Sequence, residues 1–182
     1  MLNKILVALD FSDRNRYIFQ SGLFLAQAMK ADLMLLHIIS EKAADYPSLP
    51  ASAYSYYSIL NDHKYDLYLE QLADYEKRGL ERLQSLTQEA LEVGVPTEYS
   101  QLTGNPRQLI CELAKLWSAD LILVGSRGLK GLQEIFLGSV SNYVTHHAPC
   151  SVLIMRQETN TKSNSAVGEE DRISAVSHLT TY

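Results

Sequence analysis

Strand-like and helix-like segments alternate from one end of this chain to the other, and that rhythm restricts its fold more than any single residue does. Lys4–Leu9 and Leu33–Ile39 are short apolar runs, and between them Phe19, Leu23 and Ala26 recur at helical spacing, with Ser12 as the candidate N-cap. Leu72, Leu83, Leu86 and Ala90 mark a long second helix, which Val93-Gly94-Val95-Pro96 ends, and Thr97–Leu102 reads as a third strand. Gly104-Asn105-Pro106 opens a third helix, because Asn105 can cap with its side chain and Pro106 takes the first helical position, where a missing N–H costs nothing. Ile110, Ala114 and Trp117 are its buried stripe. Asp120–Val124 follows as strand four, Ser139–His147 as helix four and Ser151–Met155 as strand five. The order βαβαβαβαβ implies an α/β fold: a doubly wound five-stranded parallel sheet, order 3-2-1-4-5, with helices on both faces.

A length of 182 residues with 46% hydrophobic and 20% charged residues fits one domain with a proper core, expected over residues 1–156. The net charge of -5, without a basic run, argues against nucleic acid and anionic membranes as partners. Ile5–Leu9 is too short for a signal-peptide core and is broken by Asp10, while Cys111 and Cys150 lie in apolar settings that suit buried thiols in a reducing compartment. A cytoplasmic location is the expectation.

Two segments depart from the alternation. Residues 43–65 form an insertion, and seven of the eleven tyrosines fall between Tyr46 and Tyr75. It reads either as a lid or docking surface, or as a loop whose tyrosines lean on the body. Residues 157–182 are a polar tail with few apolar residues to repay ordering, in which Ile173, Val176 and Leu179 could form one amphipathic turn against a partner.

The chemistry concentrates after strand four. Gly125-Ser126-Arg127-Gly128, then nine residues, then Gly138-Ser139, lies between an apolar run and a helix start. Amides at a helix N-terminus lack intrahelical partners and carry the positive end of the dipole, so this arrangement suits a polyphosphate. Ser139 or Ser141 would add a hydroxyl, with Arg127 and Lys130 as cationic helpers; the alternative is that the glycines serve only tight turns and helix packing. In an open parallel sheet ligands lie beyond the carboxyl ends of the strands where the order reverses, here between strands one and four. Asp10 at the strand-one tip could accept from a ribose hydroxyl or hold a metal-bound water, or it could cap the first helix. Ile38 could wall a base or simply pack in the core.

Competing motifs are missing: no G-x-G-x-x-G follows strand one, no G-x-x-x-x-G-K-[ST] exists, and no G-x-S-x-G elbow offers a serine nucleophile. His146-His147-x-x-Cys150 lacks a fourth ligand nearby, and adjacent helical histidines point about 100° apart. His37, inside an apolar strand, fits a hydrogen-bonded core histidine better than a catalytic base.

The stretch from Val124 to Met155, VGSRGLKGLQEIFLGSVSNYVTHHAPCSVLIM, resembles the signature of the universal stress protein family, and Lys4–Ser12, Leu35–Ile39 and Gly104-Asn105-Pro106 resemble its other landmarks. Members with this glycine pattern form the ATP-binding branch. The resemblance implies that Ala8, Leu9 and Asp10 border the adenosine, that Ile38 packs near adenine, and that Val124, Gly125, Arg127 and Gly128 line the path from ribose to phosphate. Gly138, Ser139, Val140 and Ser141 would hold the phosphates, which would themselves carry any Mg or Mn ion. It also implies a homodimer in which the Ser151–Met155 strands meet, with further protein partners reached through the insertion or the tail. The expected function is a nucleotide-dependent stress-response or regulatory dimer. The alternatives are a slow ATPase using Asp10, for which no general base is recognisable, and a nucleotide-independent interaction module.

Overall fold

Five parallel strands, β1 (Lys4–Leu9), β2 (Asp32–Ile39), β3 (Thr97–Thr103), β4 (Leu121–Gly125) and β5 (Ser151–Met155), form one sheet in the order β3-β2-β1-β4-β5. The helices are α1 (Asn15–Met29), α2 (His63–Glu92), α3 (Pro106–Trp117) and α4 (Ser139–His147). This computed structural model describes residues 2–10, 15–43, 45–48, 63–126 and 137–156.

Strand alternation divides the core in two. Ile5, Val7 and Leu9 of β1, Leu33 and Leu35 of β2, and Leu121 and Leu123 of β4 pack with Ile18, Phe19 and Ala26 of α1 and Leu83 and Ala90 of α2. Their neighbours Leu6, Met34, Leu36, Ile122 and Val124 point the other way, onto Ile110 and Ala114 of α3 and Val144 of α4. Central strands covered on both faces have no polar side to show, which is why β1, β2 and β4 read as unbroken apolar runs. Helix α1 lies close on β1 because Gly22 has no side chain: a Cβ there would sit 2.5 Å from Val7 Cγ2. Across the surface, Arg16 grips Glu89 with two bonds of 2.5 and 2.9 Å, tying α1 to α2.

Helix α3 starts as its sequence specifies. The Asn105 side chain accepts from the Arg107 amide at 3.1 Å with Pro106 in the first turn, and the helix closes on Ser118 in the left-handed region (φ 59°). Asp120 then precedes β4 instead of opening it. One of its carboxylate oxygens accepts from the amides of Asn3 (2.7 Å) and Lys4 (3.0 Å), and these bonds hold its carboxyl below the usual range. This tie at the amino edge of the sheet carries no marker in the sequence beyond a lone acid.

Helix α2 begins at His63, so residues 63–65, read from the sequence as insertion, are helical. Of the tyrosines there, Tyr75 is buried and meets Tyr46 edge-on at 5.8 Å. Burial, then a hydrogen bond with Tyr68, pushes the Tyr46 phenol up to about 12. These rings lean on the body; residues 49–62 lie outside the described set, as do Ser12 and the tail from 157. No described helix is long and apolar enough to cross a membrane.

Candidate functional site

Strand β1 is hydrogen-bonded to β2 on one side and β4 on the other; the helix after β1 covers one face of the sheet and the helix after β4 covers the opposite face. The chain therefore parts at the carboxyl ends of β1 and β4, the place where such sheets open a crevice. Continuing the register beyond Leu9↔His37 and Val7↔Leu123 brings Asp10 level with both Ile38 and Ser126. Asp10 lies five positions before Asn15, where the described part of α1 begins.

The residues expected to wall a ligand fall on two faces of the sheet. Ala8 and Ile38 are partly exposed and pack against the cluster on the α3/α4 side, and Val140 of α4 joins them there. Val124 belongs to that cluster but is buried, and the Leu9 side chain is buried on the opposite face. These two can therefore border a ligand only through their backbone.

Helix α4 has the N-terminus that an anion needs. Gly138 is its N-cap in extended backbone (φ -61°, ψ 157°), no side chain among the described residues caps it, and its first turn holds no acid. The Asn142 amide makes the first bond into the helix, to the Gly138 carbonyl at 2.9 Å, so the preceding amides of Ser139, Val140 and Ser141 lie ahead of the intrahelical ladder. The hydroxyl expected from Ser141 is not on offer: Ser141 is 1% exposed and its Oγ donates to the Gly138 carbonyl at 3.0 Å. Ser139 is exposed and keeps its hydroxyl at the surface.

Gly125 has a packing reason of its own. A Cβ at this position would lie 2.6 Å from Ile18 Cδ1, so its missing side chain admits α1. The Ser126 amide donates to the Met155 carbonyl at 2.9 Å and is thereby committed to the sheet. Arg127, Gly128 and Lys130 lie outside the described residues.

His37 is a core histidine, 3% exposed, with Nδ1 3.3 Å from Gln101 Oε1. Burial lowers its pKa from 6.5 more than the Gln101 bond and the charges of Asp45 and Asp10 raise it. A lowered value makes the folded state bind fewer protons than the unfolded chain below pH ~6.5, so this group's contribution to stability shrinks as pH falls through that window. His147 stacks on Tyr143 at 3.9 Å with Nδ1 2.9 Å from the Tyr143 carbonyl, and no metal-ligating cluster occurs among the described residues. Cys111 and Cys150 are free thiols, partly buried, and burial pushes both pKa values up.

Comparison with known proteins gives a consistent picture. The model of the universal stress protein family matches residues 1–156. A universal stress protein of Synechocystis sp. is 40% identical over 157 residues, covering 84% of this chain and 97% of its own, and one of Bacillus subtilis is 36% identical over 156 residues, covering 86% and 100%. Among solved structures, a family protein from Arabidopsis thaliana with AMP bound matches with a TM-score of 0.56 at 23% identity, over 89% of this chain and 97% of that one. A universal stress protein in complex with cAMP matches with a TM-score of 0.54 at 22% identity, over 85% and 97%. At these identities the two structures establish the shared fold.

Proposed function

We propose, on the premise that this chain belongs to the universal stress protein family, that it binds ATP at the carboxyl rim of β1 and β4 and works as a nucleotide-responsive dimer. One observation carries the reading. Val140, the second residue of α4, packs on the same hydrophobic cluster as Ala8 and Ile38, which supports the helix start and these two residues serving one ligand. The amides of Ser139, Val140 and Ser141 would receive phosphate oxygens, with the helix dipole favouring negative charge. Ala8 and Ile38 would flank the base, and Asp10 would accept from the ribose. Gly125, Arg127 and Gly128 would follow the path to the phosphates, and a divalent cation would ride on the phosphates. Relatives with AMP and cAMP bound support an adenine nucleotide as the ligand class.

The test is nucleotide itself. Gently purified protein, once denatured, should release an adenine nucleotide identified by mass spectrometry. Adding MgATP at about 100 times its Kd should raise the stability of stripped protein by about 2.7 kcal/mol, roughly 5–10 °C in Tm. Protein that carries no nucleotide and shows no shift would end the proposal.

The dimer reading rests on β5, which is the sheet edge and carries no charge in Ser-Val-Leu-Ile-Met, with Leu153 38% exposed. An apolar edge needs a cover, and a second copy supplies one by symmetry. Leu153→Lys should turn the dimer into a monomer in analytical ultracentrifugation; a wild-type chain that sediments as a monomer at every concentration would refute it.

A further inference from the structure

We propose that His37 couples occupancy of the nucleotide rim to protonation of its ring, joining the tip of β1 to helix α2. The inference rests on the reading of the rim as a nucleotide site.

By register, His37 stands between Leu9 of β1 and Gln101 of β3, on the side of the sheet that α2 covers. Gln101 is oriented by a second partner: its Nε2 donates to the Glu76 carbonyl of α2 at 2.9 Å, which turns Oε1 toward the imidazole. An oxygen there makes Nδ1 a donor, so a second proton enters at Nε2. Among the described residues, the carboxylates bearing on the ring are Asp10 from the strand tip and Asp45 from the segment after β2, and β3 contributes the neutral Gln101. From α2, Tyr75 donates its hydroxyl to Asp45 at 3.4 Å. A buried imidazole, held to Gln101, thus feels the charge of Asp10 at the rim and of Asp45, which bonds to Tyr75 of α2, and burial keeps it neutral.

A bound nucleotide changes that balance in one direction. It brings negative charge to the rim and strips water from around Asp10, and both effects favour the imidazolium. The ring is already dry, so the burial penalty scarcely grows. If the complex holds the proton more tightly than the free protein, linkage requires affinity to rise as pH falls between the two pKa values. The new charge also draws Asp45, so the proton is felt at the Tyr75 contact with α2.

The experiment measures MgATP affinity at about pH 5.5 and about pH 7.5 for the wild type and for His37→Gln, which keeps a donor toward Gln101 but does not titrate. Taking the difference between the two proteins cancels protonation of the nucleotide itself. The wild type should gain about three- to tenfold more affinity on acidification than the variant does. In parallel, NMR titration of the wild-type His37 ring should show its pKa raised by MgATP; this arm decides the matter if the variant does not fold. Equal pH slopes in the two proteins, or a ring titration unmoved by MgATP, would overturn the coupling while leaving the site intact. No binding at any pH would remove the nucleotide reading and the coupling with it.

Discussion

Gly138→Asp should cost roughly 100-fold in MgATP affinity while leaving the fold as stable as before, or slightly more so. Gly138 holds the N-cap of α4 in backbone that any residue adopts, so aspartate enters without strain. At that position its carboxylate accepts from the amides one turn into the helix, which stabilises a helix N-terminus by a few tenths of a kcal/mol relative to glycine. Those amides are the donors assigned to phosphate, and the carboxylate both occupies them and sets a negative charge where the polyphosphate would lie. Losing one or two charge-assisted bonds of about 1.5–3 kcal/mol each yields the stated factor. Calorimetric titration gives the affinity and a melting curve gives the stability. A variant that binds MgATP like the wild type would show that the α4 terminus is not the phosphate site.

The second large effect concerns folding alone. Gly22→Val should destabilise the protein by about 2–3 kcal/mol, a fall of roughly 4–12 °C in Tm. The new Cβ would meet Val7 Cγ2 at 2.5 Å and Leu123 Cδ2 at 3.5 Å, and both residues are wholly buried in the core under α1. Val7 is short and rigid and cannot swing aside, so the helix must lift from the sheet. Gly22→Ala should cost less, because its better helix propensity returns up to about 1 kcal/mol against the same clash. Denaturant unfolding measures both, and a Gly22→Val protein as stable as the parent would contradict the packing described.

The architecture was legible in the sequence because central parallel strands must be apolar on both faces and their connections must be helices. Asn105-Pro106 announced α3 down to the hydrogen bond that starts it. The start of α2 was harder to place: the cap-type residues Asn61 and Asp62 stand directly before His63, but they follow a stretch of tyrosines and serines that reads as loop. At the site, strand alternation puts Ala8 and Ile38 on the α3/α4 side and Leu9 on the far side, a division visible only once the helices are assigned to faces. Ser141 and Gly125 show a second limit. A serine near a helix start can serve the ligand or its own backbone, and a glycine can admit a phosphate or a neighbouring helix. Only the position of Gly138 and of Ile18 decides between them.

The bond from Ser126 to Met155 makes the first residue beyond β4 the last rung between it and β5. Loop and outermost strand therefore cannot be repositioned independently, and a pull on either is borne by the other. Under the proposed reading, a message written where the nucleotide sits crosses one hydrogen bond to the molecule's border, with no helix needed as messenger.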